Sequence, residues 1–163
     1  MELLGPVDTA WFRMEEARNP VDIVGVFVFA GALDHARFRE VVARRLLRSR
    51  RFGQRLESRR VGRPRWVEVA DFSIDDHLSF HRLANGSREA LESAISDVTS
   101  APFDVRRPLW EVHVYDGYQG ERSVLVARLH HAMGDGYALM GLVLAMADEA
   151  PPRDRTGVPP RSR

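Results

Sequence analysis

The residues best suited to chemistry lie together at positions 130–136, which read His-His-Ala-Met-Gly-Asp-Gly. They end the apolar run 124–131, whose β-branched and aliphatic residues predict a strand. Because successive side chains of a strand point to opposite faces, only one imidazole is expected to line a given pocket. His131 lies on the apolar face next to the loop, whereas His130 shares a face with Arg128. We therefore predict that His131 carries the chemistry.

A histidine in this position is suited to general-base catalysis. With an ordinary pKa of about 6.5, a neutral imidazole can take a proton from a hydroxyl as that oxygen attacks an activated carbonyl. Asp135 either orients the imidazole, as in a catalytic triad, or holds the loop through bonds elsewhere. Gly134 and Gly136 permit a tight strand-to-helix turn, and the free N–H groups of a helix that begins at Gly136 could stabilise an oxyanion. The motif predicts acyl transfer without a covalent intermediate and leaves both roles of Asp135 open.

The same residues disfavour metal and nucleotide chemistry. His130, His131 and Asp135 are poorly placed to chelate one ion, because the two histidines face opposite ways. The Gly-Asp-Gly sequence lacks the lysine and the glycine spacing of a phosphate-binding loop. We therefore expect no bound metal or cofactor. The remaining histidines fit no catalytic or ligand spacing and are predicted to be structural or surface residues: His35, His77, His81 and His113.

Helices alternate with strands around this motif. Helices are predicted over 6–16, 35–50, 87–99 and 136–148, and strands over 21–30, 54–61, 65–69, 109–115 and 123–131. Asp34 and Ser87 are predicted to cap two of the helices. The strand over 21–30 is apolar on both faces, which is typical of an interior strand, so we expect it to be central. We predict one domain over 1–150, followed by a linker or disordered tail over 151–163.

Composition limits the class of protein. The 163 residues are 44% hydrophobic and 29% charged with a formal net charge of +1, which is typical of a globular domain. With no cysteine and no apolar run of the ~20 residues that cross a bilayer, we expect a cytoplasmic protein. Twelve arginines lie between Arg37 and Arg65, against two glutamates, and we call these twelve the arginine belt. The belt could meet nucleotide phosphates, an anionic membrane or nucleic acid, or form an ordinary solvated surface.

The pattern His-His-x-x-x-Asp-Gly resembles the signature of the chloramphenicol-acetyltransferase-like superfamily, which includes CoA-dependent acyltransferases and peptide-synthetase condensation domains. Two further segments narrow this resemblance. Residues 5–12 contain Pro6 and Asp8, and a second segment contains Pro108, Leu109 and Trp110. These segments resemble the bacterial wax ester synthase/diacylglycerol acyltransferase family, with its Pro-Leu-Ser-Pro-x-Asp and Pro-Leu-Trp motifs. Glycine replaces the serine of the first motif in this chain.

The resemblance implies a fold and a reaction. The fold is an α/β two-layer sandwich, a mixed, largely antiparallel sheet with helices on one face, forming half of a chloramphenicol-acetyltransferase-like enzyme. His131 would be the general base that deprotonates a diacylglycerol or long-chain alcohol for attack on an acyl-CoA thioester. The products would be triacylglycerol or wax ester and free CoA. His130 would play a supporting role, and Asp135 would turn away from the substrate to hold the loop.

The resemblance covers only the N-terminal part of an architecture in which two related domains enclose the substrate channels. We therefore expect this chain to lack a C-terminal domain, to need one for activity, and to associate with such a half or with itself. Contact with the inner membrane or lipid droplets would be peripheral. Nucleic acid is not an expected partner, because no recognition motif accompanies the arginines. The alternatives are a non-catalytic binding or assembly half and a peptide-synthetase condensation-type domain.

Overall fold

The computed structural model describes residues 2–14 and 20–134. Its helices are α1 (Pro6–Met14), α2 (His35–Leu46) and α3 (Arg88–Ser100). Its strands are β1 (Asp22–Val28), β2 (Gln54–Glu57), β3 (Arg65–Glu68), β4 (Leu78–Arg82), β5 (Trp110–Tyr118) and β6 (Arg122–His130). Short 3-10 helices lie at Arg50–Gly53, Ile74–Asp76 and His131–Met133. The predicted helix over 136–148 and the predicted linker over 151–163 lie outside the described residues.

Four strands form one mixed sheet in the order β1-β6-β5-β4. β6 pairs antiparallel with β1 and with β5, while β4 and β5 are parallel. β6 lies inside the sheet because it is apolar on both faces, and every residue from Ser123 to His130 is buried. β2 and β3 form a separate antiparallel pair. The expected α/β class with a mixed, largely antiparallel sheet is confirmed.

The helices lie on both faces of the sheet rather than on the single face that we expected. α2 packs on the face that carries Leu125 and Ala127, and α3 packs on the opposite face against Val124 and Val126. The physical reason is that both faces of β6 are apolar, so each one needs a cover. The two predicted helix caps form: Asp34 accepts the N–H of Arg37 at 3.0 Å, and Ser87 accepts that of Ala90 at 3.1 Å.

β1 lies at an edge of the sheet among the described residues, which corrects the prediction of a central strand. Ile23 and Phe27 point towards the core under α2. Val24, Val26 and Val28 point the other way and are exposed. Both faces of β1 are therefore apolar, as predicted. On the face opposite α2, however, α3 covers β5 and β6 but not β1.

The β2–β3 pair is shorter than predicted. β2 ends at Glu57, and residues 58–63 form a tip in which every residue is exposed. A bridge between Leu3 and Arg65 joins the pair to the N-terminal segment. Across residues 2–14 and 20–134, no helix has the length and apolar character needed to cross a membrane.

Candidate active site

The carboxyl end of β6 carries the two histidines into different environments. His130 is fully buried, and its Nδ1 accepts the backbone N–H of Ala132 at 2.9 Å, which caps the 3-10 helix His131–Met133. Burial lowers the pKa of His130 by disfavouring the imidazolium, while the nearby Asp22 carboxylate acts in the opposite direction. His130 is thus a neutral imidazole that shapes the turn.

His131 is the first residue of that turn and is only partly buried. Its backbone N–H donates to the carbonyl oxygen of Val21 at 2.9 Å. The indole of Trp11, from α1, stacks on the imidazole with 4.7 Å between ring centroids and 27° between ring planes. Its Nδ1 is buried and has no hydrogen-bond partner within the described part of the chain. The side chain is therefore held from one side and remains partly accessible. The sequence pattern alone did not predict this contact between Trp11 and His131.

The Pro-Leu-Trp segment supports the same turn from the neighbouring strand. The carbonyl oxygen of Leu109 accepts the backbone N–H of His130 at 2.9 Å. Trp110 is buried, donates its indole N–H to the carbonyl oxygen of Phe52 at 2.9 Å and stacks on His77. Pro108 is buried beside them. These residues anchor the start of β5 and hold the end of β6, which is a structural role.

A buried ion pair that the sequence did not reveal lies next to His130. The side chains of Arg128 and Asp22 are 1% and 6% exposed, and Nη2 lies 2.6 Å from Oδ2. The same guanidinium donates to the carbonyl oxygen of Val98 at 2.8 Å and lies over the ring of Phe103. Asp22 is directly opposite His130 in the β1–β6 register. The available signal was the single charged residue within the apolar part of β6.

Of the two glycines and the aspartate of the motif, the structure describes only Gly134. Gly134 ends the turn with φ 165°, which is extended backbone that any residue adopts. The predicted roles of Asp135 and Gly136 concern residues outside the described part of the chain. The structure therefore brings together His130, His131 and the Pro-Leu-Trp segment.

The other four histidines make structural or surface contacts. His77 is buried against Trp110, and burial lowers its pKa. The other three are at least partly exposed and hydrogen-bond to Asp116, Ser79 or Glu111: His35, His81 and His113. Within residues 2–14 and 20–134, no group of three histidine, aspartate or glutamate side chains could hold a metal ion.

Two surface cavities lie elsewhere on the molecule. One has a volume of about 640 Å³ and is lined by belt arginines and Trp66. The other has a volume of about 270 Å³ and lies beside His77. Neither cavity is lined by His130 or His131.

A family model described as the wax ester synthase/diacylglycerol acyltransferase catalytic domain matches residues 4–162. The chain belongs to this family. A Mycobacterium tuberculosis protein named a probable diacylglycerol O-acyltransferase is 33% identical over an alignment of 156 positions, which covers 92% of this chain and 34% of that protein. Wax ester synthase/diacylglycerol acyltransferase 6 of Arabidopsis thaliana is 33% identical over an alignment of 130 positions, which covers 72% of this chain and 25% of the relative.

Solved structures agree on the fold. The wax ester synthase/diacylglycerol acyltransferase from Marinobacter aquaeolei VT8 superposes with a TM-score of 0.74 and 29% identity, over 88% of this chain and 36% of that one. A starter condensation domain of rhizomide synthetase, solved with C8-CoA, has a TM-score of 0.74 at 17% identity, over 90% of this chain and 34% of that one. The second likeness shows the fold alone. The chain spans about a third of the length of these family relatives from Mycobacterium and Marinobacter.

Proposed function

We propose that this chain is the N-terminal part of an O-acyltransferase that moves a fatty acyl group from acyl-CoA to the hydroxyl of a diacylglycerol or long-chain alcohol. Membership of the family supports the class of reaction. The contrast between the two histidines carries the assignment of the base. His130 is buried and engaged with the backbone, whereas His131 is partly exposed beneath Trp11.

The reaction follows from the chemistry of a neutral imidazole. Because Nδ1 of His131 is buried, we assign Nε2 as the nitrogen that takes the proton of the acceptor hydroxyl. The alcohol oxygen bonds to the thioester carbon and forms a tetrahedral oxyanion. The C–S bond then breaks, the imidazolium returns its proton to the leaving sulfur, and the products are the ester and free CoA.

The other motif residues have supporting roles in this proposal. His130 fixes the turn from which His131 projects. Asp135 holds the following loop, and backbone N–H groups at Gly136 stabilise the oxyanion. We assign His131 and the end of β6 to one wall of the substrate channel. A C-terminal domain supplies the other wall and is needed for activity.

A complementation assay tests the enzyme. The chain is mixed with the C-terminal part of the Marinobacter relative, acyl-CoA and dioleoylglycerol, and the release of free CoA is measured. We expect turnover only when both parts are present, and a loss of about 10²–10⁴-fold in His131→Ala. The matched variant His130→Asn is expected to lose much less of the turnover, because the asparagine amide oxygen can still accept the N–H of Ala132.

Other outcomes assign a different function. Full turnover by the complemented His131→Ala variant would overturn the role of that residue. Binding of acyl-CoA by the complemented protein without any release of CoA would favour the non-catalytic binding half.

We also propose that the uncovered valines of β1 make the isolated chain associate with itself when no C-terminal domain is present. Chromatography with light scattering at high concentration measures this association. A sharp monomer peak would contradict it. Since diacylglycerols and long-chain alcohols reside in lipid, we further propose peripheral contact with a membrane or lipid-droplet surface.

A further inference from the structure

The arginine belt contains two kinds of arginine. Several of its members form ion pairs: Arg39 with Asp75, Arg50 with Glu68, Arg51 with Glu2, and Arg55 and Arg65 with Glu57. The tip at residues 58–63 is different. It carries Arg59, Arg60 and Arg63 without an acidic residue, and none of these three has an ion pair within the described part of the chain. Three arginines without an ion pair in the described residues are therefore clustered at this tip.

The same tip exposes an apolar side chain. Val61, at its centre, is 84% exposed. Such exposure of a β-branched aliphatic residue between arginines has no packing explanation in the described structure. Gly62, the next residue, accepts a hydrogen bond at 2.8 Å from the guanidinium of Arg13, at the end of α1. A fourth cation therefore reaches the tip, and α1 is joined to it.

The outward face of α1 continues the apolar character. Val7, Ala10 and Met14 are exposed and recur at i, i+3 and i+7, which places them in one stripe along the helix. We call residues 58–63, this stripe and Arg13 the tip–helix surface. Trp11, four residues after Val7, lies beside this stripe on α1 and stacks on His131. Helix α1 therefore connects the tip–helix surface to the candidate base.

We propose that the tip–helix surface docks on an anionic phospholipid bilayer, with the arginines among the headgroups and Val61 entering the interface. Interfacial segments combine an apolar stripe with arginines in this way, since the two parts meet the acyl boundary and the anionic headgroups respectively. A bound nucleic acid would contact the arginines but would leave four exposed apolar residues in water: Val7, Ala10, Met14 and Val61. The proposal rests on the proposed function for its purpose, which is to bring a lipid hydroxyl close to His131.

Vesicle co-sedimentation tests the docking. The chain is mixed with vesicles of pure phosphatidylcholine, or of phosphatidylcholine with one third phosphatidylglycerol, in the absence of acyl-CoA. We expect binding to the anionic vesicles that weakens as salt is added. Each arginine near an anionic leaflet contributes about fivefold in partitioning, so Arg59→Ser/Arg60→Ser/Arg63→Ser is expected to bind roughly 100-fold more weakly.

The matched control removes the same charge from the far end of the sheet. Arg82→Ser/Arg88→Ser/Arg122→Ser changes three exposed arginines at the end of β4, the start of α3 and the start of β6. This control is expected to retain most of the binding. Circular dichroism confirms the fold of both triple variants. Equal loss in the two variants would overturn the proposal, because it would mean that only net charge matters.

A fluorescent label tests the insertion of Val61. The chain has no cysteine, so Val61→Cys and the control Glu121→Cys can each be labelled at one position with an environment-sensitive dye. Only the label at position 61 is expected to brighten on anionic vesicles and to be quenched by spin-labelled lipid. A label at position 61 that stays in water overturns the insertion.

The remaining outcomes separate this proposal from the proposed function. Because no acyl-CoA is present, a chain without turnover can still bind vesicles, and an active enzyme can fail to bind them. Failure of the wild-type chain to bind anionic vesicles overturns the docking. Tip-dependent binding of duplex DNA that displaces the chain from vesicles assigns the surface to nucleic acid and also overturns it.

Discussion

Arg128 and Asp22 form a buried ion pair that joins β6 to β1 immediately behind the two histidines. The Nη2–Oδ2 distance is 2.6 Å, and Nε donates to the same oxygen at 2.8 Å. The residue before Asp22 is Val21, whose carbonyl oxygen accepts the backbone N–H of His131. The ion pair therefore holds Asp22, which directly follows the backbone partner of His131.

Removing Arg128 alone is expected to be strongly destabilising. Arg128→Met keeps the volume of the side chain but leaves the Asp22 carboxylate buried without its cation, which costs about 3–5 kcal/mol of the free energy of unfolding. Urea denaturation measures this loss. Arg128→Met/Asp22→Leu is expected to recover part of it, because no uncompensated charge remains. The control Arg39→Met breaks the exposed pair with Asp75 and is expected to change stability much less. Similar losses in the two single variants would contradict the prediction.

Gly86 is expected to be intolerant of a side chain, unlike Gly53. Gly86 has φ +64°, and a Cβ built on it would lie 2.2 Å from the carbonyl oxygen of Gly117. Gly86→Ala therefore combines backbone strain with a clash against backbone, and we expect a loss of about 2 kcal/mol or more in urea denaturation. A Cβ on Gly53 meets no atom within 4 Å, so Gly53→Ala is expected to be neutral or to gain up to about 1 kcal/mol. Equal tolerance at the two positions would show that the close approach does not exist in solution.

The sequence was sufficient for the local parts of the fold. Side-chain alternation and apolar content identified β6, and hydrogen bonding by Asp34 and Ser87 marks where two helices begin. Side-chain alternation also predicted that Arg128 and His130 lie on the same face of β6. These properties depend on neighbours in the chain, so pattern reasoning reaches them.

The remaining features depend on distant partners. Two strands have apolar residues on both faces, but only the second, β6, lies inside the described sheet; β1 lies at its edge. The partner of Arg128 is Asp22, which is 106 residues away in sequence. The arginine belt similarly divides into paired and unpaired arginines only when β2, β3 and the N-terminal segment are brought together. No local pattern contains this information.

Stability is expected to fall as the pH drops below about 6.5, the ordinary pKa of histidine. Burial lowers the pKa of His77 and His130 in the folded chain. The unfolded chain therefore binds more protons between the lowered values and 6.5, so the neutral imidazoles favour folding above 6.5 and lose that contribution as the pH falls. Carboxylates titrate lower, near about pH 4, which separates the two effects.

His130→Asn tests the contribution of one of these imidazoles. The variant keeps an acceptor for the N–H of Ala132 but has no titrating group at that position. Free energies of unfolding at pH 7.5 and pH 5.5 are compared by urea denaturation. We expect the loss on acidification to be smaller in the variant than in the wild type. An identical pH dependence would mean that His130 does not take part.

Trp11 is expected to set the orientation of His131. Trp11→Phe keeps a ring against the imidazole, whereas Trp11→Leu keeps only apolar volume and removes the stack. In spectra of histidine ring protons, His131 is assigned by its absence in His131→Ala. We expect its upfield ring-current shift to be largely retained in Trp11→Phe and lost in Trp11→Leu. The signals of His35, which stacks on Phe80 elsewhere in the fold, should stay in place in both variants.

The same pair of variants predicts a split in the kinetics of the complemented enzyme. A base that samples several orientations spends less time in the reactive one, so Trp11→Leu is expected to lower kcat by about 10–100-fold. The KM for acyl-CoA should change less, because the indole contacts the imidazole of His131 and is not proposed to contact acyl-CoA. An unchanged His131 signal in Trp11→Leu, or a loss confined to KM, would show that Trp11 does not position the base.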